Sequence, residues 1–446
     1  MLTATAVDRT TLINWYRLNR ERSASLFEMI DPEAYYTRPI SLRNPIVFYE
    51  GHLPSFSVLA FLRRGLGLPS VDARLERLFE RGIDPDSEAE AVPRSGASTV
   101  WPSRADVLAF GRACDDAMLE AIASFTPTPD AIEGLYTALE HEAMHQETLL
   151  YMFHRLPYEL KRFVSMADDR DPISETRYSI TDGRSSSVVA ATSATLVVPA
   201  GEAVLGADRG SVTFGWDNEF DRHVVDVPSF DIDVLPVTNE RFLEFVVAGG
   251  YGKRELWDDE GWEWTQAQGV SHPAFWLRSS DRGHRPSDIA TGWSWRGMFS
   301  AAPLPAEAPV YVSHAEASAY ARWKGRRLMT EAEWHRAAEG ATPGHADFAG
   351  FDPIPVGSHP ETASLHGVHE VIGNGWEWTS TVFGPFDGFT PMRAYPEYSA
   401  DFFDGRHYVM KGASPATARA LIRPSFRNWF RGNYPYVYAK FRTVTR

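Results

Sequence analysis

The sequence predicts a helical N-terminal region followed by an α+β region, joined by a polar linker. Three observations carry that reading. Apolar residues recur at spacings of three and four up to about residue 165; the composition then shifts to Asp, Ser, Thr and Gly; and short β-like runs follow amid abundant Gly, Pro and Trp. The division expected is 1–166 for the helices, 167–194 for the linker and 195–446 for the α+β domain. At ~150 residues per domain, the 446-residue chain has room for two or three domains.

The helical pattern runs through Leu75, Leu78 and Phe79, then Val107, Leu108, Phe110, Ala113, Ala117 and Met118, then Ile132, Leu135 and Leu139. Ser103 ahead of Arg104-Ala105-Asp106 marks one helix start, and Thr128-Pro129-Asp130 marks another with Pro in its first turn. Breakers at 38–39, 65–69, 93–102 and 126–129 leave about four long helices, so a four-helix bundle with long connections is expected. The linker is clearest at 181–187, Thr-Asp-Gly-Arg-Ser-Ser-Ser. Beyond it, Thr195–Val198 and His223–Val227 read as strands, whereas only 239–247 and 313–324 read as helices. The second opens Ser313-His314-Ala315-Glu316, a capping box. Long loops pinned by buried Trp suggest a compact α+β domain whose loops carry function. No internal repeat of fixed period is present.

Composition removes several classes of function. With 44 Lys and Arg against 59 Asp and Glu, the formal charge of −15 and the lack of a basic stripe argue against nucleic acid as a partner. Cys114 is the sole cysteine, so paired-cysteine chemistry and a Cys-based zinc site are excluded. No apolar run reaches the ~20 residues of a membrane helix, and the first residues lack the basic start and apolar core of a signal peptide. A cytoplasmic, membrane-free protein is expected.

The sharpest local feature is His141-Glu142-Ala143-Met144-His145 within the pattern of the fourth helix. Histidines four apart share one helical face and stand close enough to hold one ion. Imidazole suits Zn, Cu, Fe and Ni, so the pair does not name the metal. Glu142 directly after the first histidine also fits the zincin pattern, which keeps zinc hydrolysis open. His52 is the only histidine before residue 141, in the apolar setting Phe48-Tyr49-Glu50-Gly51-His52-Leu53-Pro54. Alone, such a residue reads as core; inside one bundle with the helical pair it becomes a third ligand candidate. Three neutral histidines on one face of an ion leave open positions for substrate and oxygen. That is the layout of a non-haem iron oxygenase with His in place of the usual carboxylate.

With these residues in view, the chain resembles the ergothioneine-type sulfoxide synthases over nearly its whole length. These enzymes join a DinB-like helical bundle to a formylglycine-generating-enzyme-like (C-type-lectin-like) domain. The resemblance rests on Phe214-Gly215-Trp216-Asp217-Asn218-Glu219-Phe220, Pro236-Val237-Thr238-Asn239 and Ala319-Tyr320-Ala321-Arg322-Trp323. It extends through Arg327-Leu328-Met329-Thr330-Glu331-Ala332-Glu333-Trp334, Gly373-Asn374-Gly375-Trp376-Glu377-Trp378-Thr379 and Arg423-Pro424-Ser425-Phe426-Arg427-Asn428-Trp429-Phe430. Formylglycine-generating relatives use active-site cysteines; this half has none, which excludes that activity.

The resemblance implies Fe(II) held by His52, His141 and His145, and an O2-dependent joining of a chalcogen donor to the imidazole carbon of hercynine, trimethylated histidine. It carries contact with the trimethylammonium end onto Asn428 and Trp429, where an aromatic face suits a quaternary ammonium. It also implies a catalytic tyrosine in the loop after Trp-Glu-Trp-Thr, with Tyr395 preferred to Tyr398. Four departures bear on the donor. Met144 stands where relatives carry Gln. The Arg-rich loop of relatives using γ-glutamylcysteine reads Gly96-Ala97-Ser98-Thr99-Val100-Trp101-Pro102-Ser103-Arg104. Phe430 replaces Asp after Asn-Trp, and Ser414-Pro415 replaces Ser-Trp. Trp101, Phe430 and Met144 together predict a donor pocket poor in charge partners. A neutral selenosugar, as in the selenoneine synthase branch, then fits better than γ-glutamylcysteine, with free cysteine as the next small thiol. A DinB-like zinc hydrolase or thiol transferase, and a non-catalytic lectin-like binding module, are the other classes.

Overall fold

The computed structural model describes residues 8–80, 100–164, 194–278 and 292–445. The central linker stretch and Gly96 to Thr99 of the donor loop therefore lie outside the described residues. The fold is α followed by α+β, as expected. Two compact units form, and they do not follow a single cut in the chain. The first is 1–166 together with 212–216 and 390–398, and the second comprises the remainder.

In the first unit, α1 (Arg9–Glu28), α2 (Ile46–Ser57), α4 (Arg104–Ser124) and α5 (Pro129–His154) are the long helices, with α3 (Ala73–Leu78) a single short one. Helix α2 packs against α4 and α5, and α1 packs against the same two, which makes a four-helix bundle. The starts are those read from sequence. Ser103 Oγ accepts from the Asp106 amide and Thr128 Oγ1 from the Ala131 amide. The buried face of α4 is Val107, Phe110, Cys114, Met118 and Ile122. Leu108 and Ala113, counted in the sequence pattern, are exposed instead, because the apolar stripe rotates by one position.

Helix α2 is buried along its whole length and continues without a break into a π-helical segment, Val58–Gly65. Two glycines permit close packing around it. A Cβ at Gly134 of α5 would lie 2.3 Å from the Ala60 carbonyl oxygen, and one at Gly51 would lie 2.4 Å from the Phe79 ring.

The second unit holds two four-stranded sheets. Strands β1 (Thr195–Val198), β4 (Phe230–Asp233), β13 (Thr443–Thr445) and β8 (Arg327–Leu328) form one, in that order. Strands β11 (Asn428–Arg431), β10 (His407–Ala413), β9 (Gly375–Val382) and β12 (Ala439–Lys440) form the other. A hairpin, β2 (Gly201–Leu205) with β3 (His223–Val227), and a small meander, β5 (Trp276–Arg278), β6 (Trp293–Arg296) and β7 (Ala301–Pro303), complete the strands. Trp376, Glu377 and Trp378 of β9 are all buried, and Glu377 is closed by Arg442 at 2.9 Å and Lys440 at 3.3 Å. A fully paired carboxylate of this kind is tolerated in a core, where a lone one is not.

The sequence reading of two helices here is too few. Besides α6 (Asn239–Val247) and α8 (His314–Trp323), the described residues form α7 (Asp259–Gln268) and α9 (Glu331–Ala337). Helix α7 buries only Gly261 and Thr265, so it shows little apolar stripe. Helix α9 has seven residues, too short for periodicity to speak, although its Thr330–Glu333 capping box was visible.

Candidate metal centre

The ligand candidates come from two neighbouring helices: His52 from α2, and His141 and His145 from consecutive turns of α5. One ligand nitrogen from each lies within 4.8 Å of the others. The ring centroids are 5.1 Å apart for His52–His141 and His52–His145, and 4.4 Å for His141–His145. Among the described residues this is the only such cluster of three or more His, Cys, Asp or Glu side chains.

The protonation state suits a cation. Burial pulls His52 down to about 4, opposed by its bond to the Phe79 carbonyl. Burial, helped by the neighbouring imidazoles, pulls His141 and His145 well below the ordinary histidine range. All three are neutral at pH 7, the form that ligates metals. His52 Nδ1 lies 2.8 Å from the Phe79 carbonyl oxygen, so Nδ1 carries the proton and Nε2 keeps its lone pair for an ion. The Nδ1 atoms of His141 and His145 are buried without a hydrogen-bond partner. Buried orphaned nitrogens are costly, and coordination of a cation is chemistry that offsets it. The residues therefore fit a three-histidine metal site.

Aromatic rings fix the imidazoles. Phe48 stacks on His52 at 4.8 Å and Phe56 stacks on His141 at 3.5 Å. Beside His52, a cavity of about 230 Å³ is lined by Ser55, Phe56, Arg63, Glu76, Arg77 and Phe79.

Glu142, the residue a zincin would need at the ion, is committed elsewhere. Its Oε1 accepts from Arg20 Nη1 at 2.9 Å and from Ser23 Oγ at 2.7 Å, both on α1. Burial raises its pKa and Arg20 opposes the rise. A carboxylate locked to the neighbouring helix is not a general base for metal-bound water.

Both candidate tyrosines belong to the same compact unit as the histidines. The Tyr395 ring is 6.1 Å from that of His141 and 4.9 Å from Phe56. Tyr398 donates its hydroxyl to the Met144 sulfur at 3.4 Å and stacks on Trp216 at 3.9 Å. Met144 thus touches the second candidate tyrosine. Trp101 packs against Phe79 at 6.2 Å and Phe48 at 6.4 Å, one ring removed from His52. Phe430 is in the second unit, stacked on Tyr434 at 5.2 Å, so the three residues expected to line one donor pocket differ in what they touch. Asn428 and Trp429 also lie in the second unit, on β11. Trp429 stacks on Phe383 at 4.1 Å, and Asn428 Oδ1 accepts from the Trp429 amide at 2.9 Å.

Sequence reasoning missed the roles of Phe56, Trp216 and Glu140. Trp216 Nε1 donates to Glu140 Oε2 at 2.8 Å, one residue before His141, and the signal for it lay in the Phe214–Phe220 motif already noted.

Residues 16–149 match the DinB superfamily, and residues 184–446 match the Sulfatase-modifying factor enzyme 1-like domain. These matches define a class in which a DinB-type helical domain, here carrying the three-histidine cluster, is followed by a domain of the sulfatase-modifying type. The hercynine oxygenase of Mycolicibacterium smegmatis is 32% identical over 457 residues, covering 95% of this chain and 96% of its own length. Ergothioneine biosynthesis protein 1 of Neurospora crassa is 27% identical, covering 97% of this chain and 57% of its own. The formylglycine-generating enzyme of Mycobacterium tuberculosis is 31% identical, covering 42% of this chain and 75% of its own. The chain belongs to the ergothioneine sulfoxide synthase family.

Proposed function

We propose that this protein is an Fe(II)- and O2-dependent enzyme that joins a chalcogen donor to the imidazole carbon of hercynine. The observation that carries the proposal is the buried, neutral triad of His52, His141 and His145 in a chain aligned end to end with a hercynine oxygenase. In the overall change the imidazole C–H and the donor chalcogen–H hydrogens leave with one oxygen atom as water, while the other oxygen stays on the chalcogen. Iron held by His52, His141 and His145 would supply the site at which oxygen is activated. In this reading three neutral imidazoles hold the ion, Tyr395, whose ring is 6.1 Å from that of His141, is the proton-donating tyrosine, and Trp429 is the aromatic partner that the family resemblance assigns to the trimethylammonium group. A zinc hydrolase is the weaker reading, because Glu142 is locked to Arg20 and Ser23.

Two readings of the donor each have support. The ergothioneine name of a relative favours a small thiol such as cysteine. Arg104, the one arginine of the 96–104 stretch, favours a neutral selenosugar over γ-glutamylcysteine. Its guanidinium is bound to Glu50 at 3.0 Å and Glu28 at 3.3 Å, so it is not available to clamp a substrate carboxylate. Competition decides between them: iron-loaded enzyme, hercynine and O2 with equal selenosugar, cysteine and γ-glutamylcysteine, products read by mass spectrometry. A selenosugar product is expected to dominate, and product from γ-glutamylcysteine alone would overturn that donor. No hercynine-dependent O2 uptake with any donor would overturn the whole reading.

A further inference from the structure

We infer that Arg64 and Glu133 form a clamp that positions Tyr395, and that the π-helical segment of α2 exists to bring Arg64 into it. The inference rests on the reading of Tyr395 as the reaction's tyrosine and deepens it.

Ala394, the residue before Tyr395, is 3% exposed, and side chains satisfy both of its backbone polar groups. Its amide donates to Glu133 Oε1 at 2.8 Å, and its carbonyl accepts from Arg64 Nη1 at 2.9 Å. Buried backbone groups must be paired, so losing either partner frees the loop from its place. The flanking charged contacts are more exposed: Arg64 lies 3.8 Å from Glu397, and Arg393 lies 3.0 Å from Asp130. Arg64 and Glu133 therefore grip the loop at the two peptide groups that flank Ala394, directly before Tyr395. Its two jaws are on the helices that carry the histidines, Glu133 on α5 two turns before His141 and Arg64 near the end of the π-helical segment that continues α2 beyond His52.

The helix geometry explains why Arg64 can act. In an uninterrupted α-helix, at 3.6 residues per turn, Arg64 would sit about 120° around the axis from His52, and Arg63 would take the face instead. The segment Val58–Gly65 has π geometry, whose i→i+5 bonds widen the turn to roughly 4.4 residues and bring Arg64 back to within about 10° of His52. Arg63 pairs instead with Glu76 at 3.4 Å, and both line the cavity beside His52. Close approach of α5 is what the wider turns need, and Gly134 provides it by leaving room against the Ala60 carbonyl.

The clamp is tested by Arg64→Ala, Arg64→Lys, Glu133→Ala and Glu133→Gln in the full chain, alongside Tyr395→Phe. Bound iron and hercynine affinity stay within about twofold in the clamp variants, since no ligand is touched. Turnover falls by about 10- to 100-fold with hercynine KM nearly unchanged, as a misplaced reacting group predicts. Lys at 64 and Gln at 133 restore most of it, because each keeps the hydrogen bond to Ala394. In the Tyr395→Phe background, Arg64→Ala has no further effect. A readout independent of turnover is 3-fluorotyrosine placed at position 395: in the metal-free protein its fluorine resonance shifts or broadens in Arg64→Ala and returns in Arg64→Lys. Should Arg64→Ala not fold, Arg64→Gln and Glu133→Ala give the same comparison. An unchanged fluorine resonance in both alanine variants overturns the clamp. A silent Tyr395→Phe with a shifted resonance leaves the clamp standing and overturns the tyrosine's role.

Discussion

At the scale of single residues, the triad depends on neighbours that ligate nothing themselves. Phe48 and Phe56 lie flat against two of the imidazoles, and the Phe79 carbonyl sets the tautomer of His52. Each histidine should therefore be separable from the fold. Alanine at position 52, 141 or 145 is expected to remove most bound iron while far-UV circular dichroism stays intact. Metal analysis of anaerobically loaded protein checks this, and iron retained in all three variants would place the site elsewhere. The pair on α5 was legible because a spacing of four defines one helical face. The role of Phe56 was not, since an aromatic four residues after a histidine reads equally well as ordinary core.

Elements matter where two backbones come close. Phe79 follows the last residue of helix α3, and its ring fills the space that a side chain at Gly51 would take, so one glycine lets α2 and the Phe79 carbonyl meet at His52. Gly51→Ala is expected to cost about 1–3 kcal/mol by overpacking and to weaken Fe(II) binding roughly 10- to 100-fold by loosening that hydrogen bond. Thermal unfolding and a metal-competition titration measure the two effects, and no change in either would show that the approach is slack. In the second unit, β10 carries the fully buried Lys411, which donates to the Pro424 and Phe426 carbonyls at 2.7 and 2.6 Å. Burial lowers its pKa to about 8, with Glu331 opposing. Between about pH 8 and the ordinary lysine value, the unfolded chain binds more protons than the folded one, so this group adds stability as pH rises through that window. Relative to Lys411→Met, the wild type should gain on the order of 1–2 kcal/mol from pH 7.5 to 9.5. Unfolding curves of the pair at several pH values check the slope, and a flat difference would contradict it.

For the whole molecule, the telling fact is that two short segments of the C-terminal half, 212–216 and 390–398, fold into the compact unit of the helical bundle. Trp216 reaches Glu140 and stacks on Tyr398, which in turn meets Met144. Trp216→Phe removes the indole hydrogen bond to the buried Glu140 and is expected to cost about 1–3 kcal/mol. Faster amide exchange across 390–398 should accompany the lower unfolding temperature; exchange unchanged there would mean that the segment is held without Trp216. The sequence by itself determined the helical and α+β halves, the helix starts at Ser103 and Thr128, the strands Thr195–Val198 and His223–Val227, the two α5 histidines and the family motifs. Each is local: a cap, an alternation and an i, i+4 pair lie within one helical turn or one strand, where spacing alone fixes geometry. Only the tertiary structure decided that Glu142 turns to Arg20 and Ser23, that Arg104 is committed to Glu50, and that the Tyr395 ring comes within 6.1 Å of that of His141. Those outcomes depend on which partner a side chain meets across more than 50 residues of chain, and on a π turn that shifts the helix face by one residue without leaving a mark in the spacing of the apolar positions.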